Sequence, residues 1–193
     1  NTVYFLGASA VFRDGLAGVF TFGAVIAAKV FGFSDSGVIV FGIAANVVAG
    51  IATIAFGHLD DRIGPKRVIV LSLSVMLVAG TLIFFLHNTG TTTFWVCGLA
   101  LCIFVGPAQS ASRTFLARLI PAGREGQVFG LYATTGRAVS FLAPAAFATS
   151  IWIGAELTGA SDLDDAQHWG ILGIVSVLLL GLLAALVTRL VVR

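Results

Sequence analysis

Two uncharged runs, GVIVFGIAANVVAGIATIAFG at residues 37–57 and VIVLSLSVMLVAGTLIFFL at 68–86, flank the insert HLDDRIGPKR at 58–67. Each run is close to the 20 or so apolar residues that a helix needs to cross a hydrocarbon core. The insert gathers Asp60, Asp61, Arg62, Lys66 and Arg67, charges that belong in water or among headgroups. The stretch therefore reads as two membrane-spanning helices joined by a short basic connection.

The same pattern extends over the whole chain. Of its 193 residues 58% are hydrophobic and 10% charged, with a mean hydropathy of +1.03. A soluble domain would carry about a quarter of its residues as charges, so soluble enzymes and nucleic-acid-binding modules are excluded. Runs of spanning length fall at roughly 3–31, 37–57, 68–86, 93–119, 125–154 and 169–188. Ser34-Asp35-Ser36 offers an N-cap for the second. The runs do not alternate apolar with polar residues as barrel strands do. The expected fold is an all-α membrane protein, a bundle of six transmembrane helices. The chain opens on Asn1 without the basic region of a signal peptide, and we read it as a segment of a longer protein.

Basic residues set the expected orientation. Arg62, Lys66 and Arg67 follow the second span, Arg118 and Arg124 flank the connection between the fourth and fifth, and Arg189 and Arg193 lie in the tail. The other side has Lys29 together with Glu156, Asp162, Asp164 and Asp165. By the positive-inside rule both termini and the basic loops are cytoplasmic.

Ionisable residues within spans are costly and face a cavity or a partner. Arg13 and Asp14 lie about 15 Å into the first span at 1.5 Å per residue, and Arg137 lies at similar depth in the fifth. Arg113 sits near the cytoplasmic end of the fourth, with Gln109 one turn before it on the same face. These five are the candidates for contact with a solute or a coupling ion. Each basic or acidic one also has a structural reading: an ion pair joining helices for Arg13 and Asp14, snorkelling to the headgroups for Arg113, and a structural role for Arg137. Thr134 and Ser140 give Arg137 a polar flank. Gly42, Asn46 and Gly50 form a small-residue stripe where another helix can approach. His58, His87 and His168 fall at helix ends and read as solvated. Cys97 and Cys102, five residues apart, point to different faces and form neither a disulfide framework nor a metal site.

Gly57-His58-Leu59-Asp60-Asp61-Arg62-Ile63-Gly64-Pro65-Lys66-Arg67 resembles the loop signature of the major facilitator superfamily, G-x-L-x-D-R-x-G-x-K/R-R. In such a motif Gly57 lets a helix end approach a neighbour, Asp61 offers a carboxylate to a helix N-terminus, Gly64 makes the turn, and Lys66 and Arg67 anchor the loop. Asp60 departs from the small residue usual there. The Asp-Asp pair is nevertheless similar to the branch of autophagy-linked vacuolar amino-acid effluxers and their bacterial relatives. So are Phe12-Arg13-Asp14-Gly15, Gly106-Pro107-Ala108-Gln109-Ser110-Ala111-Ser112-Arg113, Leu119-Ile120-Pro121 and Phe129-Gly130-Leu131-Tyr132.

The resemblance implies the C-terminal half of a twelve-helix transporter in a bacterial plasma membrane, in which two six-helix bundles rock about a central site. Gly57, Asp60, Asp61, Arg62, Gly64, Lys66 and Arg67 would then form a cytoplasmic gate motif. The function expected is secondary transport of a small solute, an amino acid by the resemblance, without enzymatic activity, cofactor or metal. The partners expected are the solute, the bilayer and the other half, with no nucleic acid. Two rivals remain: a transport-inactive scaffold or assembly subunit, and an intramembrane hydrolase. The hydrolase would draw its nucleophile from Ser9, Ser110, Ser112 or Ser140, but the chain has no G-x-S-x-G and no histidine deep in a span.

Overall fold

The computed structural model describes residues 2–120, 123–160 and 162–191; Pro121, Ser161 and Arg193 lie outside them, and the side chain of Arg189 is likewise not described. Among the described residues seven helices follow one another: α1 Thr2–Lys29, α2 Asp35–Ile63, α3 Pro65–Phe85, α4 Thr91–Leu119, α5 Glu125–Ala138, α6 Leu142–Thr158 and, after a 3-10 turn at Gln167–Trp169, α7 Gly170–Val191. Taking α5 and α6 together as Glu125–Thr158, six segments among the described residues are long and apolar enough to cross a membrane. No strand occurs among the described residues. The all-helical, multi-pass fold class expected from the sequence is what the chain adopts.

Two local features differ from the sequence reading. The connection at 58–67 is almost entirely helical: α2 runs on to Ile63 and α3 begins at Pro65. Gly64 alone makes the turn, at φ 88°, a conformation open to glycine. Its N–H donates to the Asp60 carbonyl at 2.9 Å. Pro65 then opens α3, where its missing N–H costs nothing.

The second difference is a break in the stretch 125–154, which hydropathy presents as one run. Residues 139–141 leave the helix, with bonds that span three residues and not four, from Ser140 N–H to the Arg137 carbonyl and from Leu142 N–H to the Val139 carbonyl. Pro144 supplies the cause: it cannot donate to the carbonyl four residues back, and its ring crowds that carbonyl. Within the first turn of a new helix the same proline is tolerated.

Helix α1 is the hub, packed on α7, α4, α5 and α6, while α3 joins α4 to α7 and α2 leans on α4. Phe12 and Leu16 of α1, Leu73 and Met76 of α3, Leu116 of α4 and Leu178 of α7 are almost wholly buried. Close backbone approach replaces side-chain bulk along α7. A Cβ at Gly181 would overlap Phe12, and one at Gly173 would overlap the Ala146 carbonyl.

The stripe of Gly42, Asn46 and Gly50 does not pack inside this bundle. A Cβ at either glycine would meet no neighbour within 4 Å, and Asn46 turns back to the Gly42 carbonyl at 2.8 Å. The stripe of α2 that meets α4 is instead Phe41, Ala45, Ala49 and Ala52. Small residues on both faces of α2 made the two stripes equivalent by composition. On the open face Ile39, Ile43, Val47, Ile51 and Ile54 are each more than half exposed, leaving α2 the least covered span of the six.

Candidate functional site

The charged residues of α1 point to different helices. Asp14 is buried, and one of its carboxylate oxygens accepts the Ala143 N–H at 2.6 Å. That N–H belongs to the first turn of α6, where backbone donors have no helical partner. Breaking the span at 139–141 frees these donors, and a carboxylate from α1 satisfies one of them. Its charge also suits the positive end of the helix dipole.

Arg13 turns toward α5. Its Nη1 donates to the Tyr132 carbonyl at 3.0 Å, and its guanidinium carbon lies 3.9 Å from the centre of the Tyr132 ring. Such a cation over an aromatic face contributes about 0.5–2 kcal/mol, the larger value where water is excluded. Gly136 leaves the space for this: a Cβ there would come within 2.9 Å of the guanidinium. The Tyr132 hydroxyl pairs with Ser112 Oγ of α4 at 2.9 Å in a buried setting. Tyr132 is the single buried residue of α5, so it pegs that helix to both α1 and α4. Arg13 and Asp14 thus do not pair with each other; the helix-joining role weighed for them is met through backbone and ring.

Between α1, α4 and α5 lies an open cleft of about 390 Å³, lined by Arg13, Asp14, Gln109, Arg137 and Ser140 with small residues between them. Four of the five residues singled out as solute or coupling candidates therefore meet at one place. Arg113, the fifth, is exposed and does not line the cleft. The Arg137 side chain is exposed and has no carboxylate or hydrogen-bond partner among the described residues. Ser140 donates to the Arg137 carbonyl at 2.8 Å, and Thr134 to the carbonyl of Gly130. Of the polar flank expected for Arg137, Ser140 lines the cleft and Thr134 does not.

Chemically, the cleft offers a planar guanidinium whose five donors are unspent, a carboxamide that both donates and accepts, and a hydroxyl. That set suits an anionic or zwitterionic small molecule, since a guanidinium fork binds a carboxylate in two places. Ser112 and Tyr132 were not singled out as site residues from the sequence, apart from the Ser112 hydroxyl weighed for a hydrolase. A lone tyrosine between Leu131 and Ala133 carries no spacing signal, and only the fold brings Ser112 to it.

The gate motif is divided. Asp60 is buried, with Oδ1 unpartnered and facing a water-sized cavity shared with Thr53 and Ser110. Asp61, Arg62 and Arg67 are exposed, and Gly57 has no neighbour within 4 Å of where a Cβ would stand. Among the described residues no helix closes on Gly57, and none presents its N-terminus to Asp61. The histidines lie elsewhere: His58 is on α2, and His87 and His168 stack at 4.3 Å at the opposite end of the bundle.

Comparison with known proteins gives the family. The family model described as "Vacuole effluxer Atg22 like" matches residues 1–151. An uncharacterized MFS-type transporter of Bacillus subtilis strain 168, YxiO, is 25% identical over 130 residues, which cover 67% of this chain and 29% of that protein. The chain thus spans less than a third of that relative. The match to the family model takes in α1 to α5 and part of α6, more than half of the chain, and on that ground the chain belongs to the Atg22-like vacuole effluxer family of the major facilitator superfamily.

Proposed function

We propose that this chain forms one six-helix half of a secondary transporter that moves a small carboxylate-bearing solute, an amino acid, by alternating access. The observation that carries the reading is the Arg137 guanidinium, which stands unpaired in a cleft with Gln109 and Ser140. A charge at that depth is sustained by water, a carboxylate or a solute. Arg13 and Asp14 serve mainly to position α5 and α6 around the cleft, leaving Arg137 as its free cation. The open face of α2 supports packing against a second bundle, and Asp61 and Arg62 stand where such a bundle would meet the gate motif. Both termini and the basic connections lie in the cytoplasm, and the membrane is a bacterial plasma membrane.

The test uses the full-length transporter with Cys97 and Cys102 replaced by alanine and a cysteine placed at Ala17, which lines the cleft. Amino acids are offered singly as protectants against a small thiol reagent, and uptake of the protecting compound is then followed in proteoliposomes. Protection and uptake by the same compound support the reading. Uptake with no protection would move the site elsewhere, and protection without uptake would favour a transport-inactive role.

A further inference from the structure

We infer that the basic end of the bundle carries a binding site for an anionic phospholipid, seated between the ends of α2, α3 and α4. An open cleft of about 860 Å³ lies there, sharing no lining residue with the solute cleft. Lys66, Arg67 and Arg118 are among its lining residues, and no acidic residue lines it. Neither Arg67 nor Arg118 has a carboxylate partner among the described residues. Lys66 Nζ lies 5.8 Å from the centre of the Phe115 ring, which forms one wall. Arg67 lies in the first turn of the 21-residue helix α3, whose positive end adds to its charge. Unpaired guanidinium groups facing one cleft are the features that hold a phosphate.

The rest of the cleft selects a lipid over a soluble phosphate. From Pro65 to Ser74 its wall climbs about 14 Å at 1.5 Å per residue, passing from charged groups to Val70 and Leu71. Leu71 is 42% exposed and begins a stripe on α3 that continues through Val78, Leu82 and Phe85. A headgroup at the mouth therefore lies in line with an apolar surface of the right polarity for acyl chains. Basic pockets at this level of a membrane protein attract anionic headgroups. Nothing in this site enters the solute cleft, so it stands whether or not the chain transports amino acids.

The test is native mass spectrometry of the full-length transporter, purified in detergent and offered equal amounts of phosphatidylglycerol and phosphatidylcholine. Wild type should retain one phosphatidylglycerol in preference to phosphatidylcholine. Arg67→Gln combined with Arg118→Gln should weaken that retention by about fivefold for each charge removed, with phosphatidylcholine unaffected. Ser74→Phe, which keeps every cation and fills the cleft floor, should also release the lipid. Soluble glycerol 3-phosphate at equal concentration should not displace it. Equal retention of both lipids by wild type, unchanged phosphatidylglycerol in the charge variants, or displacement by glycerol 3-phosphate would each overturn the inference.

Discussion

The Asp14 carboxylate and the Ala143 N–H, 129 positions apart in sequence, meet at 2.6 Å in the interior of the bundle. The contact makes a residue of α1 the cap of α6, and it converts a costly break in a membrane span into a defined joint. Removing the acceptor leaves a buried donor unpaired, whereas an amide keeps an oxygen in place. Asp14→Ala should therefore lower stability by about 0.5–2 kcal/mol, and Asp14→Asn by less. Thermal unfolding of the purified full-length protein, followed by size-exclusion fluorescence, checks the order. Equal Tm values for Asp14→Ala and wild type would show that the cap is idle.

Tyr132 separates two contributions that share one side chain. Tyr132→Phe keeps the ring under Arg13 and loses the hydroxyl bond to Ser112, a change of about 1 kcal/mol. Tyr132→Ala removes both, together with the one buried side chain of α5. Hydrogen exchange along α5 should rise slightly in the first variant and strongly in the second. A uniform response of both would mean that α5 is held by something other than this peg.

Arg137 should behave as a ligand for solute and not as a support. In the full-length transporter Arg137→Lys keeps the charge but loses the planar fork, and transport should fall roughly tenfold or more, the worth of one charge-assisted hydrogen bond. Arg137→Ala should bring transport to background while the protein still reaches the membrane in near-normal amount. If alanine lowers abundance and lysine restores both abundance and transport, the residue is structural.

Orientation is tested from outside intact cells with Cys97 and Cys102 replaced by alanine. A cysteine at Arg124 should resist an impermeant thiol reagent, and one at Asp162 should react. Both positions are exposed in the structure, so the membrane alone decides which is reached. The reverse pattern would invert the proposed topology.

At that same non-basic end, Lys29 Nζ sits 2.9 Å from Asp164, with both side chains more than half exposed. Hydrogen bonding and charge from Lys29 hold the Asp164 carboxyl below its ordinary value of 3.8. A depressed carboxylate contributes stability above its unfolded pKa and loses it as pH falls through the lowered value. The contribution should thus be complete above about pH 4 and vanish only in stronger acid. Carboxyl NMR of Asp164 should show its titration moving upward in Lys29→Gln, with little change in Tm at neutral pH, since exposed pairs matter little.

The helical segments were legible in the sequence because uncharged runs of spanning length leave few alternatives to a helix in lipid. Asp14 and Arg137 were legible as anomalies of depth, but not the partner of Asp14, since nothing near residue 14 refers to residue 143. The break at 139–141 was hidden by continuous hydropathy, although Pro144 was its visible cause. The stripe on α2 left its partner open for a related reason: a helix with small residues on two faces does not say which face its own bundle uses. The connection at 58–67 reads as a loop only if charge and helix are opposites, whereas at a headgroup level a helix end carries charge freely.

Arg13 and Asp14 are consecutive, so about 100° of helix rotation separates them, and that angle is what lets one helix address α5 and α6 at once. Helix α1 therefore works like a key with two adjacent teeth. A one-residue insertion or deletion upstream would be trivial in a helix facing only lipid. Here it would turn both teeth out of their seats together, taking the acceptor from α6 and the cation from Tyr132. The phase of the helix, and not just its composition, is fixed by these two contacts.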